Sequence, residues 1–524
     1  MKQTFPDKPI AALETLLKGT GKAITYTGAT TPRLQIVLTE PPRTGMITDF
    51  NCDGVEDTVI GDPRASVGGD AEAGLVRVVY GGGKGTAELH QDLAAVPGDA
   101  EPGDMYGEKL ATFDHDQDGC TDLVVGTPGE DIDSSPDAGS VQVLHGAPGG
   151  LGTGPAALNL IQGTGEGAIK ATTPEAGDRF GAAIAAGHTA QGEPYLVIGA
   201  PGEDLGTVVD AGVAYYLRGN VNVAINQNTP GTQGPAEEGD LFGASLAGSA
   251  HHIVIGAPGE AVGTLKNAGS VQVFQHGLNS SGIPAPIAGL HQDGKAVSGA
   301  AEAGDQFGAA VAAVAYMPTG ATSATDTIMA VGSPGEALTV GTTDVTEAGT
   351  VQAFRITSAG QVSQVSSINA EVTNVDGSAA AGDRFGQSLV LTNLDAGTSG
   401  SAQTLNLAIG IPGKDIGAIS GAGAVQTFYP FDAPGATDSW LQAGDASGLG
   451  GTPTAGHAVG ENLAGTATRL YVGVPKTAQY GAAYALPWGN VTAGRSGTTG
   501  TATAFRPGQG GLPAAGGAFG SAMG

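Results

Sequence analysis

The sequence contains few aromatic, charged and basic side chains. Aromatic residues make up 5% of the 524 positions and charged residues 14%, with 22 Lys and Arg against 51 Asp and Glu. Phosphate backbones are bound by clustered cations, so a net charge of −29 argues against a nucleic-acid partner. The acidic excess makes cations the more natural partners, although most surface carboxylates only keep a protein soluble.

Long apolar segments are also missing. No apolar run approaches the roughly 18 residues that cross a bilayer, so the sequence predicts no transmembrane segment. The N-terminal stretch is not a clear signal peptide either, because Glu14 interrupts its short apolar part. The N-terminus by itself therefore does not show secretion.

Glycine and proline are abundant instead, with 90 Gly and 30 Pro. Gly allows the positive φ angles of tight turns, and Pro cannot continue a strand ladder. This composition favours many short strands joined by turns over long helices.

Two short patterns recur in the same order along the chain and indicate a repeat. The first is an apolar run that ends in Gly-X-Pro, and its seven copies lie at 58–63, 123–128, 196–201, 253–258, 329–334, 407–412 and 470–475. The second is a small residue or Tyr, then Gly, then a strand with period-two alternation, and its copies begin at Ala73, Ala138, Ala211, Ala268, Ala348, Ala422 and Tyr480.

A third pattern, an acidic residue followed by an aromatic-Gly pair, precedes the apolar runs. Its internal copies end at Gly107, Gly181, Gly243, Gly308, Gly386 and, in a divergent form, Gly460. The seventh copy is Phe519-Gly520 near the C-terminus, whereas Pro41-Pro42 stand at its place in the first unit. We therefore predict that residues 514–524 return to the first unit and close a ring. Whether they complete its inner strand stays open, because residues 45–49 could fill the same register.

These units predict an all-β fold, a seven-bladed β-propeller closed by the C-terminal segment. One four-stranded sheet cannot bury both of its faces alone, so neighbouring units must pack face to face. A WD-type propeller would have recurring Trp-Asp pairs, but the chain has two Trp, and the nine-residue repeat of a calcium-loaded β-helix is not present. The predicted domains are an N-terminal extension, 1–40, and the propeller, 41–524, with blades at about 41–97, 98–170, 171–235, 236–298, 299–376, 377–450 and 451–513 and a closing segment, 514–524.

Two similar acidic loops precede the first two Gly-X-Pro runs. Both have oxygen-bearing side chains at positions 1, 3, 5 and 9, Gly at position 6, and a backbone carbonyl available at position 7, which is a spacing suited to a hard cation. The candidate ligands in loop 1 (49–57) are Asp49, Asn51, Asp53, Asp57 and the carbonyl of Val55. Those in loop 2 (114–122) are Asp114, Asp116, Asp118, Asp122 and the carbonyl of Cys120.

Calcium is expected rather than zinc, because side-chain oxygens dominate and no His or Cys ligand set accompanies them. Magnesium is the lesser alternative, and the structural alternative is a pair of Asp- and Gly-rich turns. The two matched loops predict two calcium ions with a structural role. Later units lack comparable loops.

The succession of aromatic-Gly, Asp-X-Asp-X-Asp-Gly and Gly-Ala-Pro resembles the FG-GAP repeat of the integrin α-subunit propeller and its bacterial relatives. The resemblance covers about residues 41–524. It implies a seven-bladed propeller with calcium in strand-connecting loops on one face, commonly extracellular and associated with adhesion or ligand binding.

Cysteines and acidic turns add two further candidates. Cys52 and Cys120 lie in the two acidic loops and predict either a disulfide between neighbouring units or two free thiols. The turns after the Gly-X-Pro runs of units two and three carry a possible ligand rim, formed by Glu130, Asp131, Glu203 and Asp204.

The sequence favours a calcium-binding extracellular propeller that acts as an adhesion or ligand-binding module for a protein or glycan. The alternative is a secreted hydrolase, esterase-like or phospholipase-like, on the same scaffold, because related repeats occur in certain phospholipases. His-Glu-X-X-His, Gly-X-Ser-X-Gly and phosphate-loop motifs are not present, so no catalytic residue is assigned. Fold alone does not decide between these two functions.

Overall fold

Thirty strands, one short helix and two 3₁₀ turns form the regular structure of the described residues in this computed structural model. The described residues are 48–395, 398–477, 480–492 and 497–524. The predicted N-terminal extension, 1–40, lies outside them.

The strands form seven four-stranded antiparallel sheets, here blades 1 to 7. Blade 1 contains β1 (Thr58–Asp62), β2 (Leu75–Tyr80), β3 (Gly85–Leu89) and β30 (Ala522–Met523). Blade 2 contains β4 (Lys109–Phe113), β5 (Asp122–Thr127), β6 (Ser140–Leu144) and β7 (Leu158–Leu160), and is followed by α1 (Gly167–Ala171). Blade 3 contains β8 (Ala183–His188), β9 (Pro194–Ala200), β10 (Val213–Arg218) and β11 (Val221–Ile225). Blade 4 contains β12 (Ser245–Gly248), β13 (His252–Ala257), β14 (Ser270–Leu278) and β15 (Pro284–Leu290).

The remaining three blades have the same strand order. Blade 5 contains β16 (Ala310–Tyr316), β17 (Asp326–Ser333), β20 (Thr350–Ile356) and β21 (Val362–Ile368), with a small hairpin of β18 (Leu338–Val340) and β19 (Thr343–Val345). Blade 6 contains β22 (Leu389–Asn393), β23 (Leu405–Ile411), β24 (Ala424–Phe428) and β25 (Ser439–Leu441), and blade 7 contains β26 (Asn462–Gly465), β27 (Arg469–Val474), β28 (Ala482–Pro487) and β29 (Thr503–Phe505). The 3₁₀ turns span Gly81–Gly83 and Trp488–Asn490. The predicted boundaries between blades remain a prediction.

The apolar runs before Gly-X-Pro form the second strand of each sheet. In β5 and β13 every residue is buried, because the neighbouring blades cover both faces of the sheet. Burial on both faces explains why these runs read as continuous apolar segments rather than as alternating ones.

The first strands of the sheets contact one another in ring order. β4 contacts β8, β8 contacts β12, β12 contacts β16, β16 contacts β22, β22 contacts β26, and β26 contacts β30. β30 in turn contacts β4. This circle confirms the predicted seven-bladed propeller.

The three repeat patterns meet at every blade junction. The backbone N–H of the aromatic residue of one blade donates to the carbonyl oxygen of the residue before Gly in the preceding blade. The seven donor and acceptor pairs are Tyr106 with Ala73, Phe180 with Ala138, Phe242 with Ala211, Phe307 with Ala268, Phe385 with Ala348, Val459 with Ala422, and Phe519 with Tyr480.

Two glycines of the preceding blade are required at this contact. A Cβ on Gly139 would lie 2.3 Å from the carbonyl oxygen of Phe180, and its φ is +88°. A Cβ on Gly126, in the Gly-X-Pro run, would lie 2.4 Å from the carbonyl oxygen of Gly181. The repeat therefore requires glycine at these positions, because the backbones of neighbouring blades approach too closely for a Cβ atom.

The C-terminal segment supplies the inner strand of blade 1. β30 pairs antiparallel with β1, with Met523 opposite Ile60 and Ala522 opposite Gly61. The predicted closure is confirmed, and the open question of its register is answered in favour of the C-terminal segment.

A buried ion pair that the sequence analysis missed holds this closure. Asp62 accepts hydrogen bonds from the backbone N–H groups of Gly517 (2.9 Å) and Ala518 (2.6 Å). Arg77 lies 2.8 Å from the other Asp62 oxygen and donates to the carbonyl of Ala515 at 2.9 Å. Both charged side chains are fully buried. Arg77 also pairs with Glu88 at 2.9 Å, whereas Asp62 depends on Arg77 and on the C-terminal backbone for compensation.

We expect loss of the closing contact to destabilise the whole ring. Phe519 is fully buried, and Phe519→Ala should lower the free energy of unfolding by about 3–5 kcal/mol, as Phe180→Ala should at an internal junction. Deleting residues 514–524 should cost more, because it also removes the partners of Asp62 and Arg77. Denaturant unfolding of the three variants measures this, and a truncated chain as stable as the full one would contradict the closure.

Candidate functional site

Loop 2 curls through hydrogen bonds between its own side chains and backbone. Asp114 accepts from the N–H of Gly119 (3.1 Å), Asp116 from that of Asp118 (3.1 Å), and Asp118 from that of Cys120 (2.8 Å). These short-range bonds turn the alternate carboxylates toward one side of the loop.

The loop 2 carboxylates converge on one point. Single carboxylate oxygens of Asp114, Asp116 and Asp122 lie within 4.8 Å of one another. The Oδ1 atom of Asp114 is buried and has no hydrogen-bond partner. Burial raises the pKa of Asp114, and the nearby charge of Asp118 adds to the rise. A cation between these oxygens would relieve their desolvation and mutual repulsion.

Asp122 also has a structural role that the sequence analysis did not assign. Its two oxygens accept from the backbone N–H groups of His115 (2.8 Å) and Gly146 (2.8 Å). Burial raises the pKa of Asp122 to about 6, since these hydrogen bonds only partly offset the desolvation. Position 9 therefore joins the start of the loop to the end of β6.

Loop 1 has the same backbone design. Asp57 accepts from the N–H groups of Phe50 (2.8 Å) and Gly81 (2.7 Å), which matches the bonds of Asp122. Asp49 accepts from the N–H groups of Asp53 (3.0 Å) and Gly54 (2.9 Å).

The remaining candidate ligands of loop 1 form turns as well. Asn51 accepts from the N–H of Asp53 at 3.1 Å, and Asp53 from the N–H of Val55 at 2.9 Å. Within the described part of the chain, three acidic or histidine groups converge at loop 2 but not at loop 1. The two loops therefore share a fold, and loop 2 is the better-formed cation candidate.

Cys52 and Cys120 form a disulfide, with 5.0 Å between their Cα atoms. The bond joins loop 1 to loop 2 and so joins blades 1 and 2. The N–H of Thr121 also donates to the carbonyl of Asp49 at 2.9 Å. Of the two alternatives left open by the sequence, the disulfide is the one observed.

The possible ligand rim lies on the opposite face of the ring. Loop 2 lies between β4 and β5, whereas Glu130 and Asp131 follow β5, and each strand leads from one face to the other. We call the face with loops 1 and 2 the loop face and the face with the turns after Gly-X-Pro the turn face. Asp131 is exposed and Asp204 partly exposed on the turn face.

Glu130 and Glu203 have partners inside the protein. The Gln91 amide donates to Glu130 across the junction of blades 1 and 2, and the Gln162 amide donates to Glu203 at 2.6 Å across the next junction. The same bond recurs between Gln227 and Glu260 and between Gln292 and Glu336. The four Gln residues follow the outermost strand of their blades, and this recurrence was the signal that could have revealed the bond from the sequence.

Each of these Glu residues lies near a buried Asp of the aromatic-Gly turn. Asp178, for example, accepts from the N–H of Glu175 at 2.7 Å, so this Asp fastens its turn. At the junction of blades 5 and 6, Lys414 replaces the Glu and lies 2.7 Å from Asp383. At this junction the positive charge of Lys414 offsets the negative charge of Asp383, whereas the four junctions with a Glu bring two carboxyl groups together.

Burial raises the pKa values of these carboxyl groups. The pKa of Glu203 rises to about 8 through burial and the charge of Asp178, whose own pKa rises to about 6 through burial. Burial likewise raises the pKa to about 7 in Asp104, Glu130, Glu260 and Glu336 and to about 6 in Asp240 and Asp305. The carboxyl groups of these four junctions therefore bind protons at higher pH than ordinary carboxyl groups do.

A cleft of about 280 Å³ lies on the turn face between blades 5 and 6. Gly304, Gln306, Pro334, Gly335, Glu347, Arg384 and Gln387 line it. Arg384 and Glu347 form an ion pair at 2.9 Å, with about half of each side chain exposed. The cleft offers both charges to a polar ligand, and the sequence analysis did not single it out.

One repeat of the chain matches the sequence pattern of a known repeat family. The sequence model of the FG-GAP repeat matches residues 106–144, which span the aromatic-Gly pair, loop 2, β5 and β6. The chain is 27% identical to integrin alpha-5 of Xenopus laevis over 190 residues, which is 35% of this chain and 17% of that protein.

Phosphatidylinositol-glycan-specific phospholipase D is also similar. The mouse protein is 35% identical over 101 residues, which is 19% of this chain and 12% of that protein. The human protein is 32% identical over 112 residues, which is 20% of this chain and 13% of that protein. The matched region thus covers less than a fifth of the length of each of these relatives.

The fold and the loops together define a seven-bladed β-propeller whose repeats carry acidic loops on one face. The match to the FG-GAP repeat and the similarity to integrin alpha-5 support an integrin-like FG-GAP repeat propeller. In the described residues, no helix is long and apolar enough to cross a membrane.

We expect the junction carboxyl groups to make the ring less stable as the pH rises. Their folded-state pKa values lie above those of an unfolded chain, so the folded state holds more protons between about pH 4 and pH 8. This stabilisation is complete below the unfolded pKa values and is lost as the pH rises through 6 to 8. The melting temperature should therefore be higher near about pH 5 than near about pH 8.5.

Glu203→Gln tests one junction directly. Its neutral amide removes the desolvated charge, so the variant should melt higher than the wild type near about pH 8.5 and similarly near about pH 5. Glu238→Gln, at an exposed position, is the matched control and should show the pH dependence of the wild type. A Glu203→Gln profile parallel to that of the wild type would contradict the assignment.

Proposed function

We propose that the protein is an extracellular calcium-stabilised propeller that binds a protein or glycan ligand on its turn face, as an adhesion or recognition module. The observation that carries the proposal is the convergence of Asp114, Asp116 and Asp122 in a loop that a disulfide joins to its neighbour. Disulfides persist in oxidising compartments, and extracellular fluids supply millimolar calcium.

Loop 2 fits a calcium ion by the chemistry of its donors. Its ligands would be the side chains of Asp114, Asp116, Asp118 and Asp122 and the carbonyl of Cys120. The buried, unpartnered Oδ1 of Asp114 is a donor that the fold leaves unused. Bound calcium would supply positive charge to a desolvated cluster and would thereby stabilise the loop.

Loop 1 would hold the second ion less tightly. Its ligands would be the side chains of Asp49, Asn51, Asp53 and Asp57 and the carbonyl of Val55. Both oxygens of Asp49 already accept backbone hydrogen bonds, whereas the Oδ1 atom of Asp114 in loop 2 has no partner. We propose that loop 2 fills first.

The turn face is the proposed binding surface. Asp131, Asp204 and the ion pair of the cleft are accessible there, whereas Gln91 and Gln162 bind the neighbouring Glu130 and Glu203. These two Glu residues of the predicted rim would then position the turns, and the two Asp residues would contact the ligand. A charged, partly polar surface suits a glycan or a polar protein patch.

Calcium should stabilise the fold measurably. With a dissociation constant on the order of 10⁻⁴ to 10⁻³ M, millimolar calcium should add about 1 kcal/mol per ion. Chelation should therefore lower the melting temperature and added calcium should restore it. Asp118→Ala should blunt this response by removing one ligand of loop 2.

Asp131→Ala is the matched control for that experiment. Both variants lose one backbone hydrogen bond of an exposed Asp, from Cys120 to Asp118 (2.8 Å) or from Asp137 to Asp131 (2.9 Å). Only Asp118→Ala should reduce the calcium response. Melting that ignores both calcium and chelator would refute the calcium proposal.

The binding role is tested by comparing the ligand affinity of turn-face variants with that of a loop-face variant. The immobilised protein would be probed with arrays of glycans and extracellular-matrix proteins in calcium. A ligand should lose affinity for the double variant Asp131→Ala/Asp204→Ala and for Arg384→Ala, because these change the turn face. Asp118→Ala lies on the loop face and should leave binding unchanged at saturating calcium. Affinity lost in the loop-face variant alone would contradict the proposed surface.

A hydrolase of the phospholipase type is the second candidate. The similarity to phosphatidylinositol-glycan-specific phospholipase D favours it, although the match covers only 12% of the mouse protein. Incubation of the purified protein with glycosylphosphatidylinositol, simple phosphodiester and ester substrates distinguishes the candidates. Turnover that survives repeated purification would replace the binding role by an enzymatic one.

A further inference from the structure

Two histidines lie beside loop 2 with unpartnered ring nitrogens. His115 is position 2 of the loop, and His145 directly follows β6. The Nδ1 atoms of both rings are buried and form no hydrogen bond, and His145 is only 6% exposed. A buried polar atom without a partner is costly, so this arrangement needs an explanation.

The histidines face the loop 2 carboxylates. Ligand atoms of His115, Asp122 and His145 lie within 4.8 Å of one another. The His145 Nδ1 atom is 3.5 Å from an Asp122 oxygen and 3.6 Å from an Asp116 oxygen. The two ring centroids are 5.7 Å apart.

The two distances from His145 Nδ1 to the carboxylate oxygens are too long for good hydrogen bonds but suit ligands that share one metal ion. Zinc binds His nitrogen at about 2.0–2.1 Å and carboxylate oxygen at about 2.0–2.2 Å, so two ligands of a tetrahedral ion lie roughly 3.4 Å apart. Both measured separations from His145 are close to that value.

We propose that His115, His145, Asp122 and Asp116 form a second metal site, for a divalent transition metal ion of the zinc type. The nitrogen donors distinguish it from the calcium site, because hard cations such as calcium take oxygen ligands. The two sites share Asp116 and Asp122, whose carboxylates have two oxygens each and can bridge neighbouring ions. This site does not depend on the proposed binding function of the turn face.

Loop 1 shows that the fold does not require the two histidines. Phe50 stands where His115 stands, since both N–H groups donate to the position 9 Asp at 2.8 Å. Tyr80 stands where His145 stands, because the next residues, Gly81 and Gly146, donate to the other oxygen of the same Asp. The same turn therefore forms with Phe and Tyr.

An unpartnered ring nitrogen alone does not make a site. His90 and His291 also have a buried Nδ1 without a hydrogen bond. Neither belongs to a group of converging ligands within the residues that the structure describes. Loop 2 is distinguished by the convergence of two histidines with Asp122, beside which Asp116 lies 3.6 Å from His145.

The test uses the untagged full chain, stripped of metal with a chelator and dialysed. Titration with Zn²⁺, followed by calorimetry and by elemental analysis after gel filtration, should give about one tightly bound ion per chain. Bound Co²⁺ should show the visible bands of a tetrahedral ion with nitrogen ligands.

The double variant His115→Phe/His145→Tyr copies the side chains of loop 1 and should retain the fold. We expect its zinc affinity to fall at least about tenfold, whereas His291→Ala should bind zinc as the wild type does. Melting of the metal-free proteins verifies that the double variant is folded. Equal zinc binding by the double variant and the wild type, or no zinc binding by the wild type, would refute the site.

Calcium provides the second comparison. The double variant should keep the calcium response, and Asp118→Ala should keep zinc binding, so that the two metal proposals can fail separately. Zinc that calcium displaces ion for ion would contradict two neighbouring sites, because a single ion would then be using both sets of ligands.

Discussion

The close backbone contact at each blade junction is the constraint on which the structure depends. At each junction the backbone N–H at the aromatic position, which Val459 occupies in blade 7, donates to the carbonyl oxygen of the residue before Gly in the preceding blade. The glycines of the Gly-X-Pro and Ala-Gly patterns leave room for this contact. A Cβ at Gly126 or Gly139 would overlap the backbone of the next blade. Because the contact recurs at all seven junctions, each four-stranded sheet is covered on both faces. The same constraint explains why the C-terminal Phe519 must return to the first blade.

The junctions also carry the polar groups that this packing buries. At four of them a Gln from one blade binds a Glu of the next beside a buried Asp, and at a fifth Lys414 forms an ion pair with Asp383. The ring closure uses the buried pair of Asp62 and Arg77. Burial of such groups is costly unless they are paired or protonated, so we expect the stability of the ring to depend on pH and on intact junctions. The turn face above them is left with accessible charges, while the converging carboxylates of loop 2 lie on the loop face.

Loops 1 and 2 form the same turn but carry different side chains beside it. The position 9 Asp joins the loop to the adjacent strand in both blades through two backbone hydrogen bonds. What differs is the side chains next to it, Phe50 and Tyr80 in one blade and His115 and His145 in the other. The disulfide places the two loops side by side, so changes in one loop are expected to affect the other.

The sequence by itself determined the repeat, the number of blades and the ring closure, because these follow from local spacing and from glycines that only a close backbone approach requires. It also indicated which carboxylates in each loop point the same way, since alternate residues of a curled loop share a side. The tertiary structure alone decided which distant groups meet: Asp62 with Arg77 and the C-terminal backbone, and His145 with the carboxylates of loop 2. His145 is 23 residues from Asp122 along the chain, and only the pairing of β5 with β6 brings their side chains together. Such partners leave no pattern in the sequence, because their separation is set by the turns between strands and by packing rather than by the period of either strand.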